Sequence, residues 1–333
     1  MKRTPLLAAF ALAATLVTAG CGEDGPSIVV YNAQHEELLV DLAADFTEQT
    51  GIDVQLRNGK DLEMSAQLVA EGDASPADVF LTENSPAMAQ VERAGLFETL
   101  APELTTDIPE QFRPTTAAWT GFVARSTVLV YNTDAVDPAE LPDSILDLAD
   151  PEWAGRISFS PTGADFQAIV AAVLALEGEQ ATREWLAGIK ANGTVYDGNN
   201  VVLQSVDSGQ SDVGIIYHYY WYRDQAENGD VSDNSELYFF GDADPGAFVS
   251  VSGAGILASS DNKPDAEKFI SYLTGAAGQQ VLADSYALEY PLNPAVQLEP
   301  PVRPLSDLEP PDVNVSDLDG ATVVDLMTEV GFL

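Results

Sequence analysis

Cysteine is almost missing from this chain. Cys21 is the only one in 333 residues, so an internal disulfide is excluded and no thiolate set exists for a soft metal. Basic residues are also few, 14 against 53 acidic ones, for a formal net charge of −39. Such a surface repels nucleic acid and anionic lipid, which excludes a phosphate-backbone partner; it accumulates cations and suits a saline medium. Histidine occurs twice, at His35 and His218, and the run "HEELL" at 35–39 lacks the second histidine of a metalloprotease HExxH. Neither a G-x-S-x-G elbow nor a P-loop is present. Beyond the N-terminus no apolar run approaches the eighteen residues of a membrane span. The length suits one large domain or two lobes of ordinary size.

The N-terminus reads as a targeting segment. "MKRTPLLAAFALAATLVTAGCG" sets Lys2 and Arg3 before a short apolar stretch and small residues before Cys21. The position of Cys21 directly after "TAG" resembles a bacterial lipoprotein signal, which implies a signal peptide over 1–20, lipid on Cys21 and a short tether over 21–27. The mature protein is then expected to work outside the cytoplasm, anchored to the cell membrane.

Hydrophobic patterning gives alternating strands and helices. "IVVY" (28–31), "IDVQL" (52–56) and "DVFLT" (78–82) read as strands. Between the first two, Leu38, Leu39, Leu42, Ala43 and Phe46 form one face of a helix, and a polar helix follows around 60–71. The pattern recurs after residue 150: "GRISFS" (155–160), "GTVY" (193–196) and "DVGIIY" (212–217) each lead into a helical or aromatic segment. The expectation is an α/β chain of two lobes built from parallel βαβ units. "STVLVYN" (126–132) and "AFVSVSGAGIL" (247–257) are candidates to carry the chain between lobes. Seven prolines in 291–312 favour an extended crossing segment, and "ATVVDLMTEVGF" reads as a closing amphipathic helix.

Ligands of open α/β sheets bind outside the carboxyl ends of the strands. His35 follows the first strand and Glu83 the third. The segment "PTGAD" (161–165), with Thr162, Gly163 and Ala164, follows the first strand of the second block, and Asn199 follows "GTVY". Tyr219 and Tyr220 follow "GIIY", inside "DVGIIYHYYWYRD" (212–224), where six of thirteen residues are aromatic or imidazole. Neighbouring side chains of a strand point to opposite faces, so both phenols reach one point only if the strand stops there. Singly, each residue is as well read as a cap, a solvated acid or packing; together, at matching strand ends, they make a ligand site. Phenolate and carboxylate are hard donors. Two phenolates at neutral pH need a strong Lewis acid to displace their protons, a role ferric iron fills better than calcium or magnesium. Tyr, Tyr, Glu and His leave two octahedral positions for a small anion, held at the helix N-terminus at Thr162–Ala164.

"VYNAQHEE", "GDASPADVFLTEN", "GRISFSPTGADF", "YHYYWY" and "DPGAFVSVSGAGIL" resemble the bacterial ferric-iron-binding proteins of ABC importers, in the right order from about residue 28 to the C-terminus. The resemblance implies a two-lobed periplasmic-binding-protein fold of type II, with lobe 1 over 28–127 and 250–295 and lobe 2 over 128–249 and 296–333. It places His35, Glu83, Tyr219 and Tyr220 on the metal and Thr162, Gly163, Ala164 and Asn199 on a synergistic anion, carbonate or phosphate, with citrate and water also open. Arg125 resembles an arginine used towards carbonate, or serves as a hinge cation. Tyr217 stands where phosphate-using members carry Asn, and Asn84 where Gln is common. The implied partners are an ABC permease and its ATPase, for a monomer without enzymatic activity. Alternatives are a binding protein of this fold for an organic anion or polyamine, and a metal-dependent hydrolase.

Overall fold

The computed structural model describes residues 25–333 apart from 228 and 300, so Cys21 and the signal segment lie outside the described residues. The chain begins with β1 (Ser27–Asn32), α1 (Glu36–Thr50), β2 (Asp53–Asn58), α2 (Asp61–Glu71), β3 (Val79–Leu81) and α3 (Ser85–Arg93), followed by the long strand β4 (Thr120–Asn132). A second α/β block holds β5 (Ile157–Phe159), α4 (Ala164–Asn192), β6 (Gly193–Val195), α5 (Asn199–Asp207), β7 (Val213–Tyr217), α6 (His218–Glu227) and β8 (Ser235–Tyr238). The chain then returns through β9 (Val249–Ile256), α7 (Lys263–Thr274), α8 (Ala276–Ala283) and β10 (Tyr290–Pro291), and closes with α9 (Gly320–Val330).

The strands follow one path, β2-β1-β3-β9-β4-β7-β5-β6, with β8 and β10 also on β4. β1 is parallel to β2 and β3, and β5 is parallel to β6 and β7, as βαβ units require. β4 joins the two blocks. It is antiparallel to β9 as far as Ser126 and to β7 from Thr127 onward, and all of its 13 residues are buried. A strand buried on both faces reads as an unbroken apolar run, which is why "STVLVYN" carried no alternation.

The helical face expected of α1 is the buried one: Leu38, Leu39, Leu42, Ala43 and Phe46. Gly51, at φ 74°, ends that helix in the left-handed conformation an L side chain resists. α4 is two helical segments broken at Gly178, where φ is 81°. The proline-rich stretch runs without long helix, carrying only short turns at Leu305–Asp307 and Val315–Asp317. α9 follows, capped by Asp319, whose side chain accepts from the N–H groups of Ala321 and Thr322. Its Val323, Leu326 and Met327 join the core around α4. Among the described residues no helix is long and apolar enough to cross a membrane.

β7 delivers the tyrosines, and its seat is tight. A Cβ on Gly214 would fall 2.7 Å from Val202 Cγ1 and 3.1 Å from both Ser158 Oγ and Val130 Cγ1. Gly214→Ala therefore forces α5 off the strand. The expected loss is about 1–3 kcal/mol, the usual range for overpacking, read as a lower urea midpoint. An unchanged midpoint would mean that α5 yields without cost.

Candidate functional site

Strand β7 stops at Tyr217 and α6 begins at His218, so the strand-to-helix change falls just before the tyrosine pair. Helical rotation puts Tyr219 and Tyr220 on one side, their rings stacked with centroids 4.3 Å apart. His35 leads into α1 and meets Tyr219 edge-on at 5.7 Å. Glu83 follows β3, with Oε1 3.7 Å from His35 Nε2. The structure thus gathers His35, Glu83, Tyr219 and Tyr220 from three strand ends.

His35 is oriented for ligation. Its Nδ1 lies 3.0 Å from Glu289 Oε1. With Nδ1–H donating to that carboxylate, the Nε2 lone pair faces Glu83. Glu289 is itself held by Arg125, and both side chains are fully buried. Burial pulls the Glu289 carboxyl up, but Arg125 and His35 more than offset this and hold it at about 2. Arg125 also donates to the Glu83 carbonyl and, at 2.7 Å, to Ser252 Oγ on β9. All three guanidinium nitrogens therefore have protein partners. Of the two roles left open for Arg125, anion contact and hinge cation, its pairing with Glu289 is the arrangement a hinge cation would have.

Thr162 is exposed, and Gly163, at the N-cap position of α4, makes no side-chain cap bond. Beyond Ala164, the buried Asp165 turns its carboxylate towards the tyrosines. Its Oδ2 accepts from Tyr220 Oη at 3.0 Å and from Asn199 Nδ2 at 2.8 Å, and its Oδ1 lies 3.5 Å from Asn84 Nδ2. Asn199, foreseen at an anion site, thus bonds a protein carboxylate in this structure. Tyr217 donates to Asn84 Oδ1 at 3.2 Å, and Ser250 Oγ donates to the same oxygen at 2.6 Å. Asn84 and Tyr217, the two departures from the family pattern, thereby bond each other across the blocks.

Electrostatically this is a crowd of acids. Burial first, and Asp165 second, push the Glu83 carboxyl and the Tyr219 and Tyr220 phenols well above their ordinary ranges. Asp61, whose carboxylate accepts the N–H groups of Glu83 and Asn84, is raised to about 7 by burial despite those bonds. Among the described residues the Tyr219 hydroxyl is buried without a hydrogen-bond partner. Among the described residues no group of three or more His, Cys, Asp or Glu is arranged to hold a metal. His218 is excluded as a ligand by its bonds: Nδ1 accepts from the Ser126 N–H at 3.2 Å and Nε2 sits 3.1 Å from the Leu288 carbonyl. Burial lowers it to about 3, so it is neutral.

Sequence reading missed Asp165, Asp61 and Glu289. Asp165 was within reach as the last letter of "PTGAD". Asp61 opens a polar helix, and Glu289 sits in an unremarkable loop; neither carries a signal before folding.

Comparison with known proteins follows the geometry. The sequence profile of the family described as bacterial extracellular solute-binding protein matches residues 74–314. The chain is 50% identical over 328 residues to the Fe(3+)-binding periplasmic protein of Serratia marcescens, covering 98% of this chain and 96% of that one. Iron-bound HitA of Pseudomonas aeruginosa superposes with a TM-score of 0.85 at 37% identity, over 92% of this chain and 99% of the other. The Trichodesmium protein IdiA (FutA), solved with iron and citrate, superposes with a TM-score of 0.81 at 27% identity, over 92% and 100%. The fold is the two-lobed periplasmic-binding-protein fold of type II.

Glu289→Gln keeps the shape of the side chain but leaves Arg125 as an uncompensated buried charge. A loss of about 3–5 kcal/mol is expected at neutral pH, measured by urea unfolding. The depressed carboxyl adds a sign. Its stabilisation is complete above the ordinary value of 4.5 and is lost as pH falls towards 2. The variant should lack that part of the acid sensitivity; identical acid profiles would show that the pair contributes nothing.

Proposed function

Because this chain belongs to the bacterial extracellular solute-binding proteins, we propose that it captures ferric iron between its lobes and delivers it to an ABC importer. The observation that carries the reading is the pair of stacked phenols of Tyr219 and Tyr220 packed against two buried carboxylates, Glu83 and Asp165, with the only buried guanidinium beside them, Arg125, already paired to Glu289. Such a cluster holds its protons until a strong Lewis acid replaces them. A trivalent cation supplies the charge that the site lacks.

His35 donates Nε2, Glu83 a carboxylate oxygen, and Tyr219 and Tyr220 their phenolate oxygens. Thr162, Gly163 and Ala164 at the start of α4, with Asn199, hold a synergistic anion, carbonate or phosphate, beside Asp165, which bonds Asn199 and Tyr220. The family and the relatives named for ferric iron support the cargo. An organic anion is disfavoured by the carboxylates. A hydrolase is disfavoured because both nitrogens of His218 are taken and the site offers no second histidine. Iron uptake releases protons, so affinity falls as pH falls.

Lobe 1 (28–127 and 250–295) brings His35 and Glu83, and lobe 2 (128–249 and 296–333) brings the tyrosines and Asp165. The full donor set exists only when the lobes meet. Cys21 carries the lipid that keeps the receptor beside its permease, since an acidic body gains nothing from anionic lipid.

The iron-loaded protein should show a visible phenolate-to-iron charge-transfer band. Tyr219→Phe combined with Tyr220→Phe keeps the rings and removes the donors; colour and bound iron should both vanish, and their retention would refute the ligand assignment.

Cys21→Ser should release the protein from the membrane fraction of its host, or block its processing, without changing iron binding. Mass spectrometry of the mature N-terminus checks this directly, and an unmodified peptide starting elsewhere would end the lipoprotein reading alone.

A further inference from the structure

One basic side chain beside the cleft has no acid. Arg93, Arg156, Arg183, Lys263 and Lys268 each pair with a carboxylate, as a chain of this charge leads one to expect. Arg223 does not. Among the described residues it makes neither an ion pair nor a hydrogen bond, and its guanidinium lies instead over two aromatic rings. One is Tyr219, four residues earlier on the same face of α6, with its ring centroid 5.9 Å away. The other is Tyr286, at 4.6 Å, from the segment between α8 and β10. Guanidinium is weakly hydrated and stacks well on such faces, so a half-buried arginine is stable in this arrangement.

The segment that carries Tyr286 belongs to the first block. Ala287 is buried in the core that holds Leu38, Leu42 and Phe46 of α1. Leu288 takes a φ of 53°, in the left-handed region that a side chain resists, and its carbonyl faces His218 Nε2 at 3.1 Å. Tyr290 stacks flat on the His218 ring, with centroids 4.2 Å apart. Glu289, between them, reaches the other way to His35 Nδ1. Residues 286–290 therefore touch His35 on one side and α6 on the other, and Tyr286 is their outermost contact. It is 37% exposed and lines the hollow outside the site with His35, Glu37, Val40 and Asp41.

We infer that Arg223 is a positioning residue for the iron site: by gripping Tyr286 it holds the helix that bears Tyr219 and Tyr220 in register with His35, and it slows the parting of the two blocks. The contact is made by side chains alone at the solvent edge, so it breaks and re-forms without unfolding either block. Iron leaves when the blocks part, and the grip therefore sets how fast bound iron is lost. That purpose rests on the iron reading, while the grip itself needs no iron.

The first measurement is the decay of the charge-transfer band when the iron-loaded protein meets excess EDTA. Arg223→Gln and Tyr286→Ala should each speed the loss about two- to fivefold, the worth of one exposed cation–π contact. Both changes together should do no more than either alone, whereas two residues acting separately would multiply their effects. Tyr286→Phe keeps the ring and should keep the original rate. The second measurement is amide hydrogen exchange along α6 in the metal-free protein. It should be about two- to fivefold faster in each single variant, no faster in the double variant and unchanged in Tyr286→Phe. Multiplying effects, a Phe variant that behaves like the Ala variant, or rates unmoved by Arg223→Gln would overturn the proposal in either measurement. If the unaltered protein takes up no iron, the iron reading falls and hydrogen exchange decides the grip on its own.

Discussion

The buried pair of Arg125 and Glu289 is the constraint on which the site rests. Two opposite charges at zero exposure persist only if each has the other and the remaining polar atoms are satisfied. Arg125 stands on β4, where pairing passes from β9 to β7. From there it reaches the Glu83 carbonyl, Ser252 on β9 and Glu289 beside β10. One guanidinium thus fixes the loop that presents Glu83. Through Glu289 it also sets the ring of His35. Two residues of the ligand set owe their geometry to a cation that touches neither of their side chains.

The second block supplies its donors by a different device. The end of β7 turns directly into α6, and the helical turn brings two adjacent phenols to one side, which a continuing strand would have separated. His218, one residue earlier, locks that turn by bonding the Ser126 N–H and facing the Leu288 carbonyl. The histidine of the aromatic run is a buried neutral crosslink from α6 to β4 and to the loop before β10. The contacts from Asn84 to Asp165 and Tyr217 then close the space between the blocks, so the acids face each other in a low-dielectric pocket. Burial and the neighbouring Asp165 push the Glu83 carboxyl and the Tyr219 and Tyr220 phenols up, which makes a highly charged cation a fitting occupant.

Much of this could be read before folding. The 3.6-residue face of α1, the alternation of strands and helices, the long joining strands and the tyrosine pair at a strand end are local patterns. Local sterics and the burial of apolar faces set them. His35, Glu83, Tyr219 and Tyr220 could be grouped from sequence because strand ends are where such folds put ligands, and the fold brings these four together. For Arg125 two roles stayed open, because a sequence shows which donors exist but not which acceptors will reach them first.

Those acceptors come from far away in the chain. Glu289 lies 164 residues from Arg125, and Asp165 is 34 residues from Asn199 and 81 from Asn84. No periodicity or spacing links such residues. They meet because the sheet order interleaves β9 between β3 and β4 and sets α4 against the end of β7. The sequence by itself determined the elements, the joining strands and the principal donors, since these follow from apolar periodicity and strand ends. Only the tertiary structure decided that Arg125 would pair with Glu289 and that Asp165 would bond Asn199 and Tyr220, because burial obliges each charge and donor to take the nearest partner that folding brings to it.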